Sequence, residues 1–142
     1  MDGHTEIISF LKKHLNERAR NVLSVRTVYV FGSYALGTAT DQSDIDLAFH
    51  FQEQAYKQDP LEAFAFANII AAEIGELLGK KTDVVLLNGS SLEMAYEIVT
   101  TGICVYETDP DSRVEHEATL MGLWFDFKPF LLGLRRKCLA EL

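Results

Sequence analysis

Apolar positions recur at helical spacing at the start of the chain, where Ile7, Leu11 and Leu15 make residues 5–20 an amphipathic helix. The period then shortens. Residues 25–31, VRTVYVF, are rich in β-branched and aromatic side chains and stop at Gly32, which predicts a strand. Residues 44–51 alternate strictly: Ile45, Leu47, Phe49 and Phe51 fall on one face, Asp44, Asp46, Ala48 and His50 on the other. That pattern predicts a half-buried strand with both carboxylates on its open face. After Pro60, suited to a first helical turn, Phe66, Ile70, Ile74 and Leu77 mark a helix over 61–79 that stops near Gly79. TDVVLL, residues 82–87, reads as a short buried strand with Asp83 at its beginning. Ser90 or Ser91 caps a helix over 92–101, and Gly102 ends it before a last short strand, ICVY. From Asp111 to Leu142 the chain is helix-like, and Pro129 is expected to kink or divide it.

Helix-like and strand-like segments thus alternate with no internal repeat, low-complexity segment or linker between them. The expected architecture is one α/β (α+β) domain over residues 1–142, a small mixed sheet flanked by helices, with a helical segment from about 111. At 142 residues and 48% hydrophobic content, such a domain can bury a core without disulfides or a structural metal. Cys104 and Cys138 lack paired spacing and are expected to be buried or partly buried free thiols. No long apolar run appears, and charges interrupt MDGHTEIISFLKKHL, so a cytoplasmic protein with no membrane segment is expected.

Charge narrows the partners. A formal net charge of −8 repels polyanions at long range, so no nucleic-acid partner is expected. Arg18, Arg20 and Arg26, like Lys80 and Lys81, read as solvated surface charge rather than a basic groove.

The candidate chemistry lies in residues 31–51. Two aspartates at i and i+2 on a strand point the same way, roughly 6 to 7 Å apart at the backbone, so Asp44 and Asp46 can converge on one hard cation. Without a cation their like charges repel. If the strand of Asp83 lies beside theirs, three acidic groups share one end of the sheet, a set suited to a Mg²⁺ pair completed by phosphate oxygens. Gly32 lets the backbone leave its strand close to a ligand. The Ser33 hydroxyl and nearby N–H groups can bind phosphate oxygens, and Gly37 permits a second close approach. Gly-Ser alone is a turn signal, but a chance match to Gly-Ser, ten residues, then Asp-x-Asp is on the order of one in a thousand for this length.

Gly32-Ser33, ten intervening residues and Asp44-Ile45-Asp46, with Asp83 in TDVVLL as third carboxylate, resemble the signature of the DNA polymerase beta-like nucleotidyltransferase superfamily. In its brevity, element order and tail, the chain resembles the minimal nucleotidyltransferases, particularly the antitoxins paired with HEPN-domain toxins. The resemblance covers nearly the whole chain. It implies that Asp44 and Asp46 hold Mg²⁺ against a nucleoside triphosphate, that Gly32 and Ser33 contact its phosphates, and that Asp83 completes a second metal site and helps deprotonate the attacking hydroxyl. The implied reaction is in-line attack on the α-phosphorus with release of pyrophosphate. In the antitoxin branch ATP is the donor, and the acceptor is a tyrosine hydroxyl of the partner toxin. One departure is visible: many members read Gly-Ser-x-Ala-Arg-Gly, and Leu36 stands where that arginine would be.

The acceptor is expected to be another protein. Polymerases and tRNA-tailing enzymes use further domains to hold nucleic acid, and antibiotic-modifying relatives carry an added helical domain for which too little chain follows Tyr106. Leu120, Leu123, Trp124, Phe125, Phe127, Phe130, Leu131 and Leu132 are more apolar than one surface-helix face requires. Core packing is expected for most of them, and an exposed subset would form a toxin-binding or homo-oligomer surface. His50 is expected to serve the surface or the fold rather than a metal, and His4, His14 and His116 have no ligand spacing. Tyr34 either lines the nucleotide pocket or packs. Three functions follow: AMP transfer from ATP to a HEPN toxin, neutralising it; an antitoxin acting by stoichiometric binding with a weak nucleotidyl site; and adenylylation of a small molecule.

Overall fold

The computed structural model describes residues 3–22 and 24–141. Helix α1 (Gly3–Ala19) leads into strand β1 (Val25–Phe31), a short helix α2 (Ser33–Leu36) and strand β2 (Ile45–Phe51). Helices α3 (Glu53–Gln58) and α4 (Pro60–Leu78) follow, then β3 (Thr82–Leu86), α5 (Leu92–Thr101), β4 (Ile103–Glu107) and α6 (Pro110–Ala140). The strands form one sheet in the order β3-β2-β1-β4. Strand β1 runs antiparallel to β2 and β4, whereas β3 is parallel to β2, so the sheet is mixed as expected. The parallel pair requires a crossover, which α3 and α4 supply.

Alternation along β1 and β2 sends side chains to two cores. Val28, Val30, Ile45, Leu47, Phe49 and Phe51 pack with Leu11 and Leu15 of α1 and with Ala63, Ala67, Ile70 and Ile74 of α4. Small residues on α4 allow that helix to lie close to the sheet. Leu77 is 63% exposed, contrary to the predicted stripe, because Leu78, four residues after Ile74, takes the inward position. Asp59 caps α4 through the Glu62 N–H, Pro60 opens it, and Ser91 is the serine that caps α5, through the Met94 N–H.

The opposite sheet face is not open. Tyr29 and Ala48 are buried there against Leu87, Ala95, Ile98 and Val99. Helices α5 and α6 therefore make a third layer, which leaves Asp44 and Asp46 half-buried at one end of that face and Asp83 exposed. Small Ala48 permits this close packing, a role that alternation alone does not distinguish from exposure.

Helix α6 runs unbroken through Pro129, and Leu142 lies outside the described residues. Its first half is fastened by Tyr29, whose hydroxyl donates to Glu117 (2.7 Å), and by Arg113, which donates to Glu117 (3.0 Å) and Glu107. Burial, reinforced by Glu117, raises the Tyr29 pKa, so this phenol remains a neutral donor. Trp124 is buried and stacks on Tyr96 of α5. Leu120 packs against the second core, as expected, but core packing does not hold for most of the other apolar tail residues: Phe125 is 64% and Phe130 62% exposed, Leu123, Phe127 and Leu132 are also exposed, and Leu131 is half-buried. Helix α5, with ten residues, is too short to cover a helix of 31. Arg135 nevertheless pairs with Glu93 at 2.8 Å near the start of α5.

Surface charge is less free than composition suggests, since Arg18 makes a bidentate pair with Glu73 (both 2.9 Å) joining α1 to α4. Lys80 donates to the Asp41 carbonyl at 3.1 Å. Cys104 is half-buried, but Cys138 is exposed on the uncovered end of α6. Among the described residues, no helix is long and apolar enough to cross a membrane.

Candidate active site

The site forms where β1 ends. Phe31 pairs with Asp46, so the next residue, Gly32, leaves the sheet directly beside that carboxylate. Gly32 has φ 69° and ψ −146°, a region that L side chains scarcely populate. A Cβ at this position would collide with Asp46 Oδ2. The backbone therefore passes the acid at a distance only glycine permits.

After Gly32 the chain turns at once into α2, where the Ala35 and Leu36 N–H groups bond back to the Gly32 carbonyl (3.1 and 3.0 Å). Ser33 and Tyr34, in the first turn, have amides with no acceptor within their own helix. The Ser33 hydroxyl has no hydrogen bond among the described residues. Gly37 serves differently from the second close approach expected: a Cβ there would meet nothing within 4 Å. Its φ of 76° instead makes the left-handed turn that ends α2. The loop to β2 is held by Ser43 Oγ, which accepts from the Thr40 N–H at 2.8 Å.

The third carboxylate arrives through the parallel pairing. Asp46 lies opposite Asp83, and adjacent strands are about 4.8 Å apart. Asp44 just precedes β2. Asp46 has its pKa raised by burial, then by the charges of Asp83 and Asp44, which shows that the three acids share one electrostatic site. Among the described residues, no three His, Cys, Asp or Glu side chains close into a preformed metal cage. A raised, half-buried carboxyl between two others, with oxygen donors only, fits a hard cation such as Mg²⁺.

Tyr34 is 3% exposed and packs in the core beside His4, with Lys80 Nζ 5.9 Å from its ring centre; of its two expected roles, packing is the one observed. Sequence reading missed the partner of His50. That ring stacks on His116 of α6, centroids 3.7 Å apart and 3° from parallel. Burial, then His116 and Arg26, lower the His50 pKa to about 3, and burial lowers that of His116 against the opposing charges of Glu117 and Glu53. No spacing in the sequence links the two histidines; they meet because α6 crosses the sheet face that carries His50.

A depressed imidazole pKa favours the folded state fully above the unfolded value of about 6.5, and this contribution is lost as pH falls toward 3. His50→Gln is therefore expected to flatten the fall in Tm between about pH 6.5 and 4.5 in thermal melts. A variant whose Tm falls as steeply as the wild type's would show that the stack contributes nothing to acid sensitivity.

A mixed sheet with a glycine turn at one strand end and three acids around it defines a nucleotidyltransferase-type fold. The chain belongs to the polymerase beta nucleotidyltransferase family, whose model matches residues 6–111. It is 32% identical over 91 residues to the protein adenylyltransferase MntA of Aphanizomenon flos-aquae, a match covering 61% of this chain and 60% of that protein. One chain of a toxin–antitoxin crystal structure with AMP-PNP superposes with a TM-score of 0.67 at 18% identity, covering 90% of this chain and 98% of that one. A structure of a tri-AMPylated Shewanella oneidensis HEPN toxin in complex with its MNT antitoxin matches with a TM-score of 0.56 at 20% identity, again over 90% and 98%. At these identities the structural matches establish the fold.

Proposed function

We propose that this protein is a Mg²⁺-dependent adenylyltransferase that moves AMP from ATP to a tyrosine hydroxyl of a HEPN-domain toxin and thereby neutralises it in the cytoplasm. The observation that carries the reading is Asp46, held between Asp44 and Asp83 and pressed against Gly32. The adenylyltransferase relative supplies the chemistry by analogy, and the AMPylated HEPN toxin bound to a similar antitoxin suggests the acceptor.

In this mechanism Gly32 and Ser33 receive the phosphates, the short α2 turn offering its first amides and the Ser33 hydroxyl as donors. Asp44, Asp46 and Asp83 would hold two Mg²⁺ ions, which when bound neutralise phosphate charge and lower the barrier to displacement at the α-phosphorus. Asp83, exposed on β3, would help remove the tyrosine proton. The tyrosine oxygen forms a bond to the α-phosphorus as the bond to the bridging α–β oxygen breaks, and pyrophosphate leaves. Leu36, 63% exposed, makes no polar contribution, so any phosphate contact made by the usual arginine is absent from this position.

Incubation with a candidate toxin, Mg²⁺ and ATP labelled at either the α or the γ phosphate tests the reaction. The expected result is α label on the toxin and none from γ. Transfer of γ label would identify a kinase instead. Neutralisation with neither label would favour the binding antitoxin, a reading that the exposed apolar end of α6 also supports.

A further inference from the structure

Lys80 follows the left-handed Gly79 that ends α4 and stands two residues before β3 begins. Its backbone is fixed on both sides. The Lys80 N–H donates to the Gly75 carbonyl (3.0 Å), and the Lys80 carbonyl lies so near that a Cβ on Gly75 would sit 2.6 Å from it. The Lys81 carbonyl then accepts from the Ile45 N–H at 2.9 Å, which joins this turn to the residue between Asp44 and Asp46. From that anchored backbone the Lys80 side chain reaches the loop ahead of β2, where its ammonium donates to the Asp41 carbonyl at 3.1 Å. The same Nζ stands 5.9 Å from the centre of the Tyr34 ring, within cation–π range, and buried Tyr34 directly follows Ser33. One cation at the base of β3 thus touches both α2 and the β1–β2 loop, so it links the segments that carry Ser33, Asp44 and Asp83.

The acids differ in how firmly the sheet holds them. Strand pairing sets Asp46 opposite Asp83, but Asp44 precedes β2 and lies outside that ladder, so its position depends on the loop behind it. Within the loop, Thr40, Gln42 and Ser43 bond among themselves. Those bonds shape the turn and do not set where it stands relative to β3. The Lys80 contact does, and it is made to the backbone carbonyl of Asp41 rather than to its carboxylate, so it fixes the chain itself. We propose that Lys80 is a positioning residue: through the Asp41 carbonyl and the Tyr34 ring it holds the Asp44 loop and the Ser33 turn in place against Asp83, in the arrangement a divalent cation needs. The inference rests on the metal-dependent nucleotidyltransferase reading of the three acids. Groups that orient metal ligands from outside the coordination sphere are each worth about ten- to a hundredfold in metal affinity.

Binding of Mn²⁺, an oxygen-preferring stand-in for Mg²⁺, to the nucleotide-free full-length protein tests it, read from the electron paramagnetic resonance of the free ion. Lys80→Met keeps most of the side-chain length and removes the donor, and it is expected to weaken Mn²⁺ binding about tenfold. Electrostatics alone predicts the opposite sign, because removing a positive charge near three carboxylates strengthens their hold on a divalent cation. Lys80→Arg retains both the donor and the cation over the ring and should bind within about threefold of the wild type. Asp41→Asn leaves the backbone carbonyl in place and should bind as the wild type does. Metal-free melting temperatures within about 2 °C of the wild type's serve as the folding control. Folded Lys80→Met that binds Mn²⁺ as tightly as the wild type, or more tightly, would overturn the positioning role. An Asp41→Asn variant as weak as Lys80→Met would overturn it too, by showing that the carboxylate and not the carbonyl carries the effect. A wild type that binds no Mn²⁺ would instead overturn the metal-dependent reading itself.

Discussion

Replacing Asp44 and Asp46 together with Ala is expected to reduce the proposed AMP transfer roughly a thousandfold or more while slightly raising the melting temperature of the metal-free protein. The two effects have one cause. Asp46 carries a raised pKa because burial and the charges of Asp83 and Asp44 disfavour its ionised form. The folded chain therefore binds that proton more readily than the unfolded chain, and stability falls as pH rises from the ordinary carboxylate range through the raised value. Removing the two acids ends that loss, so at neutral pH the variant should melt higher than the metal-free wild type. Mg²⁺ should raise the wild-type Tm and leave the variant's unchanged, because a cation relieves repulsion only where the carboxylates remain. Scanning calorimetry with and without Mg²⁺ provides one readout, and α-labelled transfer the other. A double variant that binds and fully neutralises a candidate toxin without transfer would show that occlusion suffices.

Gly32→Ala is expected to damage both fold and function. Its backbone angles lie in a region that costs a non-glycine residue about 1–3 kcal/mol, and the new Cβ would strike Asp46 Oδ2. Asp46 must then turn away or β1 must shift. A displacement of about 1 Å at a reacting centre can cost a hundredfold in rate, so a loss of that order is expected even in protein that stays folded. The contributions separate in a cycle with Asp46→Ala. Removing the carboxylate should recover part of the lost stability, leaving the backbone component, and should recover no activity. If Gly32→Ala were equally destabilising with and without Asp46, the collision would play no part.

Most elements were legible because their information is local. The β-branched run 25–31 and the alternation from Ile45 to Phe51 became strands at those positions, and Asp59, Pro60 and Ser91 stand at the helix starts where their chemistry suits them. Helix α3 was missed, being a short polar segment, EQAYKQ, without a full apolar period. The candidate site was legible in its residues but not in its assembly. Gly32, Ser33, Asp44 and Asp46 lie within one short span, whereas Asp83 joins them only through the pairing of β3 with β2. No spacing rule links those segments.

Local sequence sets the helices and strands, the glycine that leaves β1 and the alternation that places Asp46 in β2 with Asp44 just ahead of it, because all of these depend on neighbours within a few residues. The parallel pairing of β3 with β2, which brings Asp83 opposite Asp46, arises only when the chain packs. Packing also brings α5 and α6 over the sheet face that alternation left open, sets His50 against His116 and leaves the far end of α6 bare. Those outcomes follow from which distant surfaces find each other and how far each one reaches: a ten-residue α5 can bury Trp124 but cannot shelter all of a 31-residue α6.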